Sequence, residues 1–141
     1  MKVLVTGGAG FIGSHIADLF IENGYEVVIV DNLSTGKEEF INKKAIFYKK
    51  DITDDDLCEI FEKEKPDYVI HQAAQIDLQK SIDNPVFDAK VNVLGTVNLL
   101  ECCRKSGVKK IVYASSAAVY GNPEYLPIDE GHRINPISRI I

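Results

Sequence analysis

Histidine and cysteine are scarce in this chain of 141 residues, with three of each and none in a Cys-x-x-Cys or mixed Cys/His arrangement. Cys58, Cys102 and Cys103 are odd in number and two are adjacent, so they read as ordinary core or surface thiols in a reducing compartment. His15, His71 and His132 are scattered and read as satisfied or exposed side chains, which leaves no ligand set for a metal. No run of about 18 or more apolar residues occurs, and the N-terminus lacks the basic region and long apolar core of a signal peptide. A membrane partner is therefore not expected, and a cytoplasmic location is. Basic residues are also outnumbered, 16 against 21 acidic ones, for a net charge of −5. That balance gives no footprint for nucleic acid, so an anionic ligand has to be held locally by backbone amides.

What is present suffices for one packed domain, since 45% of the residues are apolar. The most informative stretch is Thr6-Gly7-Gly8-Ala9-Gly10-Phe11-Ile12-Gly13, directly after Val3-Leu4-Val5. It reads as a buried strand breaking into a glycine turn that opens a helix. Residues without Cβ let the backbone turn sharply and approach a pyrophosphate, and free N–H groups at a helix start stabilise its charge. Gly8, Gly10 and Gly13 fit G-x-G-x-x-G, while Gly7, Gly10 and Gly13 fit G-x-x-G-x-x-G. The following segment places Ile12, Ile16, Leu19 and Phe20 on one helix face and stops at Asn23-Gly24. A second strand, Glu26 to Val30, ends at Asp31, eighteen positions beyond Gly13. An acid at a spacing of about 20 is placed to take a ribose 2′-hydroxyl.

Strand-like and helix-like segments then alternate. Ala45 to Tyr48 forms a third strand entering Asp51-Ile52; Thr53 or Asp54 caps a helix to about Glu64; Tyr68 to His71 forms a fourth strand. Asp83-Asn84-Pro85 starts one helix that runs to Ser106-Gly107, and Lys110 to Ala114 forms a fifth strand. The alternation predicts an α/β fold: a doubly wound, Rossmann-like parallel sheet of order 3-2-1-4-5, helices on both faces, ligand at the switch point beside strand 1. Beyond Gly121, Pro123, Pro127 and Pro136 predict an irregular stretch.

Six motifs in order carry a family resemblance: Gly7 to Gly13, Asp31-Asn32-Leu33-Ser34-Thr35-Gly36, Asp51-Ile52, His71-Gln72-Ala73-Ala74, Asn92-Val93-Leu94-Gly95-Thr96, and Ser115 to Gly121. Together they resemble the extended short-chain dehydrogenase/reductase family, and within it the nucleotide-sugar epimerases of the UDP-glucose 4-epimerase type. The resemblance implies NAD as cofactor and a UDP-sugar as substrate of the full-length family members. It places Phe11 and Ile12 in the pyrophosphate turn, Asp31 and Asn32 at the adenosine ribose with Ser34, Thr35 and Gly36 nearby, and Asp51 and Ile52 beside adenine. Ala73 and Ala74 would leave space for the cofactor, and Asn92 would hold the active-site region. Ser116 would hydrogen-bond the sugar hydroxyl that is oxidised, and Ser81, read otherwise as a helix-start serine, could reach substrate. No Arg or Lys directly follows Asp31, whose carboxylate would repel a 2′-phosphate, so NAD is favoured over NADP. The sugar 4,6-dehydratases carry an acidic pair where Ala117-Ala118 stands, and alanine transfers no proton.

The family's Tyr-x-x-x-Lys pair has no counterpart. Pro136-Ile137-Ser138-Arg139-Ile140-Ile141 puts Ile140 in the tyrosine's place, and Tyr113, Tyr120 and Tyr125 have no lysine four positions on. The expectation is an NAD-binding domain over residues 1–141, an incomplete sheet, no C-terminal substrate domain, and an inactive truncated chain. A non-catalytic dinucleotide-binding module, or a piece of another NAD-dependent nucleotide-sugar enzyme (dehydratase, decarboxylase or reductase), stays open as an alternative. An open edge at strand 5 and the apolar side chains between Pro85 and Ser106 predict a homodimer or looser self-association.

Overall fold

A computed structural model describes residues 1–137. Five parallel strands, β1 (Lys2–Thr6), β2 (Glu26–Asp31), β3 (Ile46–Lys49), β4 (Tyr68–His71) and β5 (Lys110–Tyr113), form one sheet of order β3-β2-β1-β4-β5. Register places Leu4 opposite both Val28 and Val69, and Val5 opposite Ile29 and Ile70. Because successive side chains of a strand point to opposite faces, these runs feed two cores. Leu4, Val28, Val30 and Val69 pack with Leu57, Phe61, Leu99 and Cys102, whereas Val3, Val5, Val27 and Ile29 pack with Ala17. The first group meets α2 (Leu57–Glu64) and α5 (Thr96–Ser106), the second α1 (Phe11–Glu22). Burial on both faces is why the strands lack alternating polar residues.

Three expectations change. The helix expected from Thr53 or Asp54 begins at Leu57. Asp51 and Asp54 spend their carboxylates on a preceding turn: Asp51 Oδ1 accepts the Thr53 amide at 2.8 Å, and Asp54 Oδ2 accepts the Asp51 amide at 3.1 Å. The single helix expected from Pro85 is interrupted. It comprises α4 (Pro85–Ala89), a π turn over Lys90–Gly95, and α5, preceded by a short α3 (Leu78–Asp83) capped by Asp77.

The cysteines are not all thiols. Cys58 on α2 and Cys102 on α5 form a disulfide with Cα atoms 4.9 Å apart, and Cys103 stays free and buried. Two helices packed side by side on one face of the sheet bring together residues 44 apart in sequence, a proximity that spacing alone does not reveal. The irregular stretch after Gly121 is organised by buried His132, whose Nε2 accepts the Glu124 amide at 3.0 Å between the rings of Tyr120 and Tyr125. Strand β5 is an edge that leaves Val112 and Tyr113 exposed.

Candidate functional site

At the carboxyl ends of β1, β2 and β4 lies a cleft of about 550 Å³. Its first wall is the glycine turn. Gly7 has φ +69°, and a Cβ there would lie 2.7 Å from the amide nitrogen of Ala73, so β1 and the segment after β4 touch backbone to backbone. The Gly10 amide donates to Gly7 C=O at 3.1 Å, and Gly10 opens α1 without a side-chain cap. The first-turn amides thus stay available to a ligand beside exposed Phe11 and Ile12. A Cβ on Gly8 would meet the side chain of Ile29 at 2.7 Å and one on Gly10 would lie 3.3 Å from Gly7 C=O, so the closest backbone approaches are at Gly7 and Gly13.

The second wall follows β2. Asp31 is 8% exposed, and its carboxylate accepts the Ala9 amide through Oδ2 at 3.0 Å and the Leu33 amide through Oδ1 at 2.8 Å. These two bonds fix the carboxylate against the glycine turn and leave lone pairs on each oxygen for a ligand hydroxyl. Gly36 does not line the cleft; the loop touches Ala9 there so closely that a Cβ would lie 2.9 Å from that residue's Cβ. Ser34 and Thr35 do line it.

Asn32 continues this wall by donating from Nδ2 to Asp51 Oδ2 at 2.6 Å. Desolvation pushes the Asp51 pKa up, but the Thr53 amide, the Asn32 amide, the Thr53 hydroxyl and the charge of Lys90 outweigh it, so the carboxyl titrates below its ordinary value. Ile52 is buried beside it, and Asn98 of α5 holds this loop by donating to the carbonyls of Ile52 and Asp54 at 2.9 and 3.0 Å.

The floor comes from the end of β4. Ala73 and Ala74 line the cleft, followed by Gln75, whose amide donates to Asn92 Oδ1 at 2.8 Å while Asn92 Nδ2 donates to its carbonyl at 3.0 Å. Asn92 sits in the π turn outside the cleft lining and acts on it through Gln75. Beneath the floor His71, 2% exposed, lies between Thr6 and Thr96. Burial pushes its pKa down to about 4. Motif spacing gives no sign of this arrangement, which exists only because β1, β4 and α5 meet there.

Ser116 is not brought to this cleft. It follows β5, exposed, with Oγ accepting the Ala118 amide at 3.2 Å. Ser81 is buried on α3, its Oγ 2.7 Å from Asp88 Oδ1 and 2.9 Å from Asp77 C=O, and it does not line the cleft. Lys80, which sequence reading passed over, lines the cleft with its ammonium 4.5 Å from the Phe87 ring centroid. Ile140 lies outside the described residues. Among the described residues no group of three or more His, Cys, Asp or Glu could hold a metal ion, and no helix is long and apolar enough to cross a membrane.

Comparison with known proteins places this geometry. The model of the NAD dependent epimerase/dehydratase family matches residues 3–139. A Methanocaldococcus jannaschii protein with a provisional UDP-glucose 4-epimerase name is 58% identical over 96% of this chain and 45% of its own length. The crystal structure of a UDP-glucose 4-epimerase from Thermotoga maritima with UDP-glucose superposes with a TM-score of 0.90 at 47% identity, over 99% of this chain and 46% of that one. The Thermus thermophilus enzyme in complex with NAD gives 0.88 at 46% identity, over 96% of this chain and 45% of that one. The chain spans less than half the length of these relatives.

Proposed function

Since the chain belongs to the NAD dependent epimerase/dehydratase family, we propose that it is the NAD-binding part, one domain over residues 1–141, of a nucleotide-sugar 4-epimerase acting on a UDP-sugar. One observation carries the reading: Asp31 is pinned by the Ala9 amide within the glycine turn, so the acid and the uncapped start of α1 face one cleft. A pyrophosphate fits where Gly7 and Gly13 leave no room for a Cβ and Gly10 brings no capping side chain. The adenosine ribose then meets Asp31 and Asn32, with Ser34 and Thr35 beside it, while Asp51 and Ile52 flank adenine. Gly36 keeps the ribose loop against the turn. Ala73 and Ala74 leave the floor low, and Asn92 holds that floor through Gln75.

When bound, the nicotinamide supplies a reversible hydride acceptor for C4 of the sugar. Ser116, outside the cofactor cleft, would hydrogen-bond the sugar hydroxyl that is oxidised: its oxygen accepts the Ala118 amide, which leaves its proton for a sugar oxygen. The fixed carboxylate of Asp31 repels a 2′-phosphate, so the site selects NAD over NADP.

Calorimetric titration tests this. NAD is expected to saturate one site per chain, with NADP at least about tenfold weaker. Absence of saturable heat at high NAD overturns cofactor binding, and equal affinity for NADP overturns the role of Asp31.

A further inference from the structure

We propose that His71 is a positioning residue of the cleft, joining the strand that feeds the glycine turn to the π turn through a hydrogen-bond chain of fixed direction with its ring proton on Nε2. The direction follows from the donors around Thr6. The Ala73 amide donates to Thr6 Oγ1 at 3.2 Å, and the Gln72 amide is shared between Thr6 C=O at 3.1 Å and Thr6 Oγ1 at 3.2 Å. Both amides face the acceptor side of this oxygen, which points the Thr6 hydroxyl proton at His71 Nδ1, 2.6 Å away. Nδ1 is then the acceptor and Nε2 carries the hydrogen, which it donates to Thr96 Oγ1 at 3.1 Å. The Thr96 hydroxyl in turn donates to Asn92 C=O at 2.8 Å. The Thr96 amide bonds Val93 C=O and so does not compete for that carbonyl.

The chain ends where it matters for a ligand. Asn92 grips the amide and carbonyl of Gln75, and the Gly7 backbone abuts Ala73, so both ends bear on the floor that Ala73, Ala74 and Gln75 form. His71 itself does not line the cleft. A second ring proton would reverse the bond to Thr6, whose oxygen already faces the amides of Gln72 and Ala73. Burial without a charged partner keeps the imidazole neutral; the ring of Tyr113 from β5, 5.6 Å away between centroids, is the titratable neighbour packed on it among the described residues.

The inference rests on the NAD reading of the cleft, and the test separates the two. The 15N spectrum of histidine-labelled protein is recorded at about pH 6, where an ordinary histidine is substantially protonated, beside calorimetric NAD affinities of the variants. His71 is expected as a single neutral Nε2–H tautomer. Thr96→Val, which keeps the shape and removes the hydroxyl, is expected to weaken NAD about tenfold, and Thr96→Ser to stay within about twofold of the parent. A protonated or Nδ1–H ring in the parent protein overturns the chain as drawn. Unchanged affinity in Thr96→Val, or equal losses in Val and Ser, overturns the positioning role. If the parent protein binds no NAD, the cofactor reading falls and takes the positioning role with it, while the spectrum still decides the tautomer.

Discussion

The space that a Cβ on Gly13 would occupy lies 2.1 Å from the carbonyl oxygen of Gly7. No backbone oxygen tolerates a carbon at that distance, so the glycine at 13 is required by the fold of the turn before any ligand arrives. Gly13→Ala is expected to cost about 3 kcal/mol or more of stability, at or above the upper end of ordinary overpacking, and to weaken NAD at least about tenfold. Gly24→Ala is the control. Its φ is +80°, with nothing within 4 Å of the added carbon, so only backbone strain of about 1–2 kcal/mol is expected and no change in NAD affinity. Urea unfolding and calorimetry on both variants check the contrast.

Asn92 uses both ends of its amide on Gln75, and its Nδ2 also donates to Asp88 Oδ1 at 3.1 Å. Asn92→Asp removes that donor and sets two carboxylates against each other. A loss of about 2–3 kcal/mol is expected from the unpaired Gln75 carbonyl and the like charges, with NAD binding weakened in parallel. The loss is expected to shrink as the pH drops and one carboxyl takes a proton. A pH-independent loss would show that repulsion contributes little.

Reduction of Cys58–Cys102 releases a loop whose ends are 44 residues apart. The chain-entropy relation gives about 4 kcal/mol for a loop of this length, an upper figure because α2 and α5 still pack on a common core after reduction. Unfolding midpoints with and without a reductant measure it. Burial pushes the free thiol of Cys103 up to about 11, so one slowly reacting thiol is expected in the folded oxidised chain and one rapidly reacting thiol after unfolding.

His71 makes stability sensitive to mild acid. Its pKa is lowered from 6.5 to about 4 in the folded chain. Below the unfolded value the unfolded state binds a proton that the folded state refuses. The contribution is therefore whole above about pH 6.5 and is lost as the pH falls from there through about 4, on the order of 3 kcal/mol in all. Carboxylates with lowered pKa, such as Asp51 and Glu64, act in the same direction but only below the ordinary carboxylate range. His71→Gln is expected to flatten the stability profile between pH 6.5 and 4 and to leave the more acidic limb in place.

Much of this fold is written locally. Apolar strands of five or six residues with no polar alternation can only lie inside a sheet covered on both faces, and glycine runs mark where such strands break. The glycine turn, the strand order and the acid at the end of β2 follow from those local rules together with the handedness of crossovers. The sequence also shows Asn92 as a misplaced polar residue in an apolar run. It does not show that the helix takes a π turn there, nor that the Asn92 amide pairs with both backbone groups of Gln75, a residue from another element.

What the sequence by itself determined is therefore the set of elements and the chemistry at their ends. Tertiary structure alone decided which distant groups meet: Cys58 with Cys102, Asn32 with Asp51, and Thr6 with His71 and Thr96. The reason is physical. Periodicity and turn residues act over a few positions, whereas a disulfide or a buried hydrogen-bond chain requires two or three elements, separately specified, to arrive at one place at bonding distance.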